Sequence, residues 1–342
     1  MDKQLSQPIF PNSLDELKSK HSPNFYSKSL YSDQLKELAV CRDVTIKGDD
    51  KKTQEFANEL SNSVNAKWVY YPWLNSAYEI LDEKEFVEVR TNRNQLKITP
   101  EEQQQLSEST ISIAGLSVGN SVALTLAMER VGGHLILADY DELELSNLNR
   151  LRTGIPQIGL HKGVIAKRQI AELDPYIKVT LFDEGVTDKN ITSFLNKDVD
   201  ILVEVCDSLD LKLSLRERAK EIEIPVIMDT NDRGMIDIER FDLEPDRPIF
   251  HGFLEDLNMT NEELKNPENK LSLVQRIVGE DISERLKKSM PEIGKTISSW
   301  PQLASGVMLG GAASTNICRR ILLNEHKKSG RFYVDFEQII GS

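Results

Sequence analysis

Residues 111–127 read ISIAGLSVGNSVALTLA. The apolar run 111–114 predicts a strand. It leads directly into Gly115-Leu116-Ser117-Val118-Gly119, and a helix opens at about Asn120. Val122, Ala123, Leu126 and Ala127 recur at spacings that put them on one helical face. A glycine turn between strand and helix lets the backbone approach a phosphate, and the helix N-terminus offers unpaired N–H groups and the positive end of its dipole. The loop departs from the Gly-x-Gly-x-x-Gly pattern, because Ser117 replaces a glycine and the loop is one residue short. Taken alone, the stretch also fits a plain strand-to-helix turn.

Working outward, short apolar runs at 111–114, 135–138, 179–182, 201–205 and 226–228 alternate with amphipathic stretches at 121–130, 163–173, 192–195 and 211–221. Strand, helix, strand, repeated, predicts an α/β fold: a mostly parallel, Rossmann-like sheet with right-handed crossovers and helices on both faces. The segment 235–241 is placed to add antiparallel strands at one edge. The second strand ends in Asp139, 24 residues after Gly115. An acidic side chain there accepts hydrogen bonds from ribose hydroxyls in dinucleotide-binding folds. To this point the pattern suits any nucleotide binder of that architecture, dehydrogenases included.

The flanks have a different texture. Residues 1–92 form an N-terminal accessory region, with helices expected at 32–40 and 53–64 followed by an aromatic cluster of Trp68, Tyr70, Tyr71, Trp73 and Tyr78. Such a cluster serves either as a ligand platform or, more commonly, as packing against a neighbouring domain. Residues 93–257 carry the nucleotide-binding pattern. Residues 258–342 are expected to be a helical extension of it, broken at Pro267, Pro291 and Pro301, with a small-residue segment at 303–317 and a final strand at 331–336. Small residues at that density either line a cofactor or allow close helix packing, the commoner reason.

Of the 342 residues, 39% are hydrophobic and 28% charged, the balance of an ordinary globular chain rather than a disordered one. A net charge of −13 argues against broad electrostatic binding to nucleic acid or anionic lipid. Cys41, Cys206 and Cys318 lie too far apart to suggest a disulfide framework or a paired zinc clip. The N-terminus lacks the pattern of a signal peptide, and no apolar run is long enough for a membrane span. The expected setting is a reducing cytoplasm, with no nucleic-acid or membrane partner and no structural zinc.

The next segment separates the nucleotide-binding classes. It reads Asp139-Tyr140-Asp141-Glu142-Leu143-Glu144-Leu145-Ser146-Asn147-Leu148-Asn149-Arg150, and it resembles the ThiF/MoeB/HesA family of adenylating enzymes related to ubiquitin activation. That family's pattern is a strand ending in Asp-x-Asp, then a Ser-Asn-Leu-x-Arg run. Upstream, Arg90-Thr91-Asn92-Arg93-Asn94 is similar to the family's Arg-x-x-Arg-Gln entry segment. Downstream, Ile158-Gly159-Leu160-His161-Lys162 resembles its Ile-Gly-x-x-Lys, and Glu204-Val205-Cys206-Asp207-Ser208 resembles the strand end that carries its magnesium-binding aspartate. From about Trp68 onward the chain is similar to a bacterial subfamily in which a ThiF-like module precedes a nitroreductase-like flavin domain. The stretches WVYYPW, GLSVGN, RFDLEPDRPIFHG and SSWPQLAS carry that likeness. The chain stops where the flavin domain would begin, so flavin chemistry is not expected of it.

The resemblance implies ATP-dependent attack of a carboxylate on the α-phosphate, giving an acyl-adenylate and pyrophosphate. The substrate would be a peptide or ubiquitin-like C-terminus, or a small acid. An ionised carboxylate needs no strong base, so the protein's task is positioning and charge on the triphosphate. By resemblance, Gly115, Ser117 and Gly119 shape the loop and Asp139 holds the ribose, with Asp141 ranked behind it. Asn147, Arg150 and Lys162 grip the phosphates, and Asp207 holds Mg²⁺, which accepts one carboxylate beside phosphate and water oxygens. Arg93 would reach the γ-phosphate from the partner subunit of a homodimer. Arg93, Arg150, Lys162 and Asp207 thus form the expected catalytic set.

Each residue also has a plainer reading. Arg150 and Lys162 fit surface charges, Asp207 fits a helix cap, Asp141 fits a turn cap, and His161 fits a loop residue. The chain departs from many relatives in lacking their Cys-x-x-Cys clip and a crossover-loop cysteine. Cys318 falls within an expected helix, and Cys206 beside Asp207 suits packing. The second step therefore remains open among amidation, sulfur donation by a partner protein and hand-over to a flavin protein. Two competing readings are a catalytically silent nucleotide-binding scaffold and an NAD(P)-dependent oxidoreductase. The oxidoreductase leaves Asn147, Arg150, Lys162 and Asp207 unexplained; the scaffold leaves the charged set without a use.

Overall fold

The aromatic stretch before residue 80 is part of a sheet. The computed structural model describes residues 6–21, 24–255, 273, 276, 277, 279 and 282–341. Within them, strands β1 (Tyr26–Ser29), β2 (Ala66–Tyr71) and β3 (Ser76–Leu81) form a three-stranded sheet in the order β1-β3-β2. β2 and β3 pair antiparallel, with Ala66 opposite Leu81 and Tyr71 opposite Ser76. The turn between them uses Asn75 in the left-handed region at φ 48°, where asparagine is tolerated. Helices Tyr31–Arg42 and Asp50–Leu60 cover this sheet, and Leu35, Leu38, Ala39, Ala57, Leu60 and Leu81 are buried between them. Tyr71 and Trp73 meet edge to face, with ring centroids 5.3 Å apart, so the aromatic cluster packs. These elements belong to a compact unit of Met1–Glu102 with Ile170–Tyr176.

The second unit, Gln103–Gln169 with Ile177–Ser342, holds the sheet that the alternating pattern predicts. Its strands are β4 (Thr110–Ala114), β5 (His134–Ala138), β6 (Lys178–Phe182), β7 (Ile201–Glu204), β8 (Pro225–Asp229), β9 (Met235–Arg240) and β10 (Gly330–Tyr333). The spatial order is β10-β9-β8-β7-β4-β5-β6. β4 pairs parallel with both β5 and β7, and β6 and β8 extend the parallel core on either side. β9 and β10 add antiparallel at one edge, the first as the segment 235–241 predicts; the strand expected at 331–336 ends at Tyr333, and Phe336 opens a short helix. β4, β7 and β8 are buried along their whole length, which is why they read as continuous apolar runs.

Chain order reverses beside β4: β5 and β6 lie on one side, β7 and β8 on the other. In open α/β sheets the crevice at the carboxyl ends of the strands flanking such a switch point is where ligands bind. Helix Gly119–Glu129 follows β4 and is buried on nearly every side, with Val122, Ala123, Leu124, Leu126 and Ala127 all inside, as suits a helix apolar all round. The small-residue segment is the helix Ala304–Leu322, packed closely against Gly119–Glu129. A Cβ at Gly311 would collide with Ser121, so the small residues serve close approach. Pro301 precedes this helix and Pro291 lies in the 3₁₀ turn Met290–Glu292; Pro267 lies outside the described residues. No helix of the described residues is long and apolar enough to cross a membrane.

Candidate nucleotide site

The site is built at the carboxyl edge of β5, β4 and β7. Gly115 has φ +90°, and a Cβ there would lie 2.8 Å from the Val205 carbonyl oxygen. Only glycine satisfies both the left-handed backbone and this approach to the end of β7. Gly119 has a different reason: a Cβ there would lie 2.8 Å from Ile113 Cγ2, so the helix could not seat on its own strand. Ser117 is not in the left-handed region, and a side chain is permitted where the glycine pattern would have none. No side chain caps the helix Gly119–Glu129, which leaves its first N–H groups for a ligand.

Asp139 is buried and stitches this loop together. Its Oδ2 accepts the Leu116 N–H at 2.6 Å and its Oδ1 the Asp141 N–H at 2.8 Å. Lys162, also buried, donates from Nζ to Asp141 Oδ2 at 2.8 Å, and its own N–H donates to the Asp141 carbonyl at 2.9 Å. Lys162 is therefore not a surface charge. Its exposure is 7%, against 51% for Asp141, so the ammonium is held inward by a carboxylate that solvent still reaches. The neighbouring His161 has a structural use: Nδ1 accepts the Gly163 N–H at 3.0 Å while Nε2 meets the Asp183 carbonyl at 2.9 Å. That arrangement caps the helix Lys162–Leu173 and fixes the tautomer with the proton on Nε2.

Asn147 shapes the backbone of the 3₁₀ turn Leu145–Asn149, where its Oδ1 accepts the Glu144 N–H at 3.0 Å in a capping box. Arg150 follows directly. Its Nε donates to Ser117 Oγ at 3.1 Å and its Nη1 to Asn149 Oδ1 at 2.8 Å. Burial works against the Arg150 charge and Asp207 supports it, so the two side chains share one electrostatic field. Asp207 itself is exposed just beyond β7. The cap of the following helix, Leu209–Glu221, is Ser208, whose Oγ accepts the Leu211 N–H at 3.4 Å, so capping does not account for Asp207.

The fold thus brings Gly115, Ser117, Gly119, Asp139, Asp141, Asn147, Arg150, Lys162 and Asp207 to one edge of one unit. Arg93 belongs to the first unit, where it is exposed in the 3₁₀ turn Asn92–Asn94. Among the described residues no three His, Cys, Asp or Glu side chains converge as a metal cage. A single exposed carboxylate is nevertheless adequate for Mg²⁺ held mainly by phosphate and water oxygens. Cys206 bonds through Sγ to Glu204 Oε1 at 3.2 Å, and burial, reinforced by the Glu204 charge, pushes its thiol well above the usual range. Burial likewise raises Cys318, to about 12. Neither is a ready thiolate.

Sequence reasoning quoted Glu204 within the strand-end motif but gave it no role, and it is fully buried two residues before Cys206. It accepts from the Cys206 N–H at 3.1 Å, from Lys212 Nζ at 2.7 Å and from Arg216 Nη1. Nothing local in the sequence marks it, because its partners come from the next helix.

Fold and site together define an open α/β protein with a glycine turn at the switch point of its sheet. The chain belongs to the ThiF family, whose description matches residues 91–291. It is 44% identical over 270 residues to the protein MT1398 of Mycobacterium tuberculosis, covering 79% of this chain and 38% of that one. It is 27% identical over 154 residues to the tRNA threonylcarbamoyladenosine dehydratase of Bacillus subtilis, covering 44% and 60%. The chain therefore spans between about a third and two thirds of these relatives' lengths. The crystal structure of the Escherichia coli tRNA N6-threonylcarbamoyladenosine dehydratase, TcdA, in complex with AMP superposes with a TM-score of 0.51 at 14% identity. That likeness covers 71% of this chain and 97% of that one and establishes the shared fold.

Proposed function

We propose that this chain is an ATP-dependent adenylyltransferase, activating a carboxylate as its acyl-adenylate with release of pyrophosphate. The observation that carries the reading is the pairing of buried Lys162 with Asp141 and of Arg150 with Ser117 around the Gly115 turn. Two cations are held ready beside an uncapped helix N-terminus, an arrangement suited to an anionic ligand. AMP bound to a structural neighbour of the same fold and membership of the ThiF family support the choice of ATP over a dinucleotide.

In this reading a substrate carboxylate oxygen bonds to the α-phosphorus as the bond to the bridging oxygen of pyrophosphate breaks. No proton needs to move. Arg150 and Lys162 offset charge on the phosphates, Asn147 holds the turn that presents Arg150, and Asp139 takes the ribose while bracing the loop. Asp207 would hold Mg²⁺, which supplies further neutralisation of phosphate charge when bound. The substrate is a peptide or ubiquitin-like C-terminus or a small acid. Residues 93–257 carry the chemistry, 258–342 brace it, and 1–92 form an accessory region. Arg93 acts on the γ-phosphate from the partner in a cytoplasmic homodimer.

Calorimetric titration with ATP and Mg²⁺, with NAD⁺ as control, tests the reading. ATP should bind, and Arg150→Ala should weaken it about 10- to 100-fold, the value of a charge-assisted contact. Asp207→Ala should remove the dependence of binding on Mg²⁺. Binding of NAD⁺ without ATP would overturn the chemistry, and binding of neither would favour a silent scaffold.

A further inference from the structure

We infer that Ser117, the residue that breaks the glycine pattern of the loop, is a positioning residue for Arg150. The inference rests on the nucleotide reading above and extends it to a side chain that otherwise only shapes the turn.

The argument begins with what the loop requires. Gly115 is demanded by its φ of +90° and Gly119 by its seat on Ile113, but residue 117 has neither constraint. A glycine at 117 would be tolerated by the backbone; the serine adds a CH2OH group, whose only polar atom is the hydroxyl. That hydroxyl accepts the Arg150 Nε–H at 3.1 Å. The second grip comes from Asn149 Oδ1, 2.8 Å from Nη1. Two acceptors on different edges of a planar guanidinium fix both its position and the orientation of its plane. The backbone at 150 is fixed as well, since its N–H donates to the Asn147 carbonyl at 3.1 Å within the capped turn.

An arginine that is free in solution loses much side-chain freedom on gripping a phosphate, and a preorganised one loses less. Ser117 lies on the loop that would face the phosphates, so the tether holds the guanidinium on the side where it is needed. The hydroxyl therefore contributes to nucleotide affinity through Arg150 and not through a contact of its own.

A double-mutant cycle on the full chain, read by calorimetric titration with ATP and Mg²⁺, tests this. Ser117→Ala should weaken ATP binding about 3- to 10-fold, the range of one hydrogen bond. Ser117→Thr, which restores a hydroxyl, should stay within about twofold of the parent. In an Arg150→Ala background, Ser117→Ala should have no further effect. If the loss caused by Ser117→Ala persists at full size without Arg150, or if threonine fails to rescue a protein whose melting temperature is unchanged, Ser117 acts otherwise and the inference is wrong. Absence of ATP binding in the parent chain would instead defeat the nucleotide reading itself, and the two failures are told apart by that first titration.

Discussion

Replacing Arg216 by methionine should destabilise the second unit by about 3–5 kcal/mol at neutral pH, because it takes from buried Glu239 its paired guanidinium and leaves buried Glu204 with Lys212 alone. Arg216 is fully buried. It bridges Glu204, at the end of β7, and Glu239, on β9, the latter at 2.7 Å from its Nε, and both carboxylates are also fully buried. Its guanidinium lies 4.0 Å from the centroid of the Phe250 ring, a cation–π attraction that an uncharged methionine cannot supply. Burial would raise the Glu204 carboxyl, but the Lys212 and Arg216 charges outweigh it and hold it down at about 2. Relative to an unfolded value near 4.5, that depression contributes stability which is present above about pH 4.5 and lost as pH falls toward 2. The gap between parent and variant should accordingly be widest at neutral pH and shrink in acid. Hydrogen-exchange mass spectrometry on peptides covering 201–240 in graded urea reads this unit alone. Combining Arg216→Met with Glu239→Gln should recover part of the loss. A pH-independent gap with no such recovery would mean that poorer packing, not unpaired charge, is responsible.

That network also shows where sequence reading reaches its limit. The parallel core was legible because β4, β7 and β8 are buried on both faces and must be apolar throughout. The site segment was legible because Asp139, Asn147, Arg150 and Lys162 crowd into a short stretch around one strand end. β1 was not, since all four of its residues are exposed and no alternation marks them. The hairpin of β2 and β3 did carry a signal, an aromatic and β-branched run followed by Pro72-Trp73-Leu74-Asn75, which resembles a turn between strands. Its aromatic residues read as a packing surface, with a ligand platform as the less common use, and not as strands. Arg216 looks like any residue on the polar face of the helix Leu209–Glu221, because its partners lie 12 residues before it and 23 after it. Ser117 and Arg150 are 33 residues apart. Pairings of that kind exist only once the sheet has formed.

Asparagine in place of Asp229 should make the protein more stable above neutral pH, by on the order of 4 kcal/mol once the parent's carboxyl is fully ionised. Asp229 ends β8 with an exposure of 5%. Its Oδ1 accepts the Asn231 N–H at 2.9 Å, and among the described residues its Oδ2 has no hydrogen-bond partner. A Cβ at Gly310 would fall on this carboxyl, so the glycine is what lets helix Ala304–Leu322 close over it. Charged neighbours in sequence are committed elsewhere: Asp232 to Ser283 and Arg233 to Asp335. Across the ladder it faces Ile236. Burial therefore raises its pKa from 3.8 to about 7, only partly opposed by the Asn231 N–H. The folded state thus binds the proton more tightly than the unfolded one. The resulting stability is fully present below about pH 4 and drains as pH rises, being gone once pH has passed about 7. The Asp229→Asn side chain would keep the shape and the Asn231 bond without ionising. Calorimetric melting temperatures from pH 4 to 8.5 should diverge as pH rises, then run parallel; curves parallel throughout would mean that Asp229 finds a counter-charge in solution. Met308 of the covering helix accepts from Arg152 Nε through its Sδ, and just before that helix the Gln302 carbonyl accepts the Asn149 side chain at 2.8 Å. Asn149 in turn holds Arg150. If Arg150 binds phosphate as proposed, ionising the carboxylate beneath Gly310 should loosen this chain of contacts to Asn149 and Arg150, and ATP affinity should fall above pH 7 in the parent while holding in the variant.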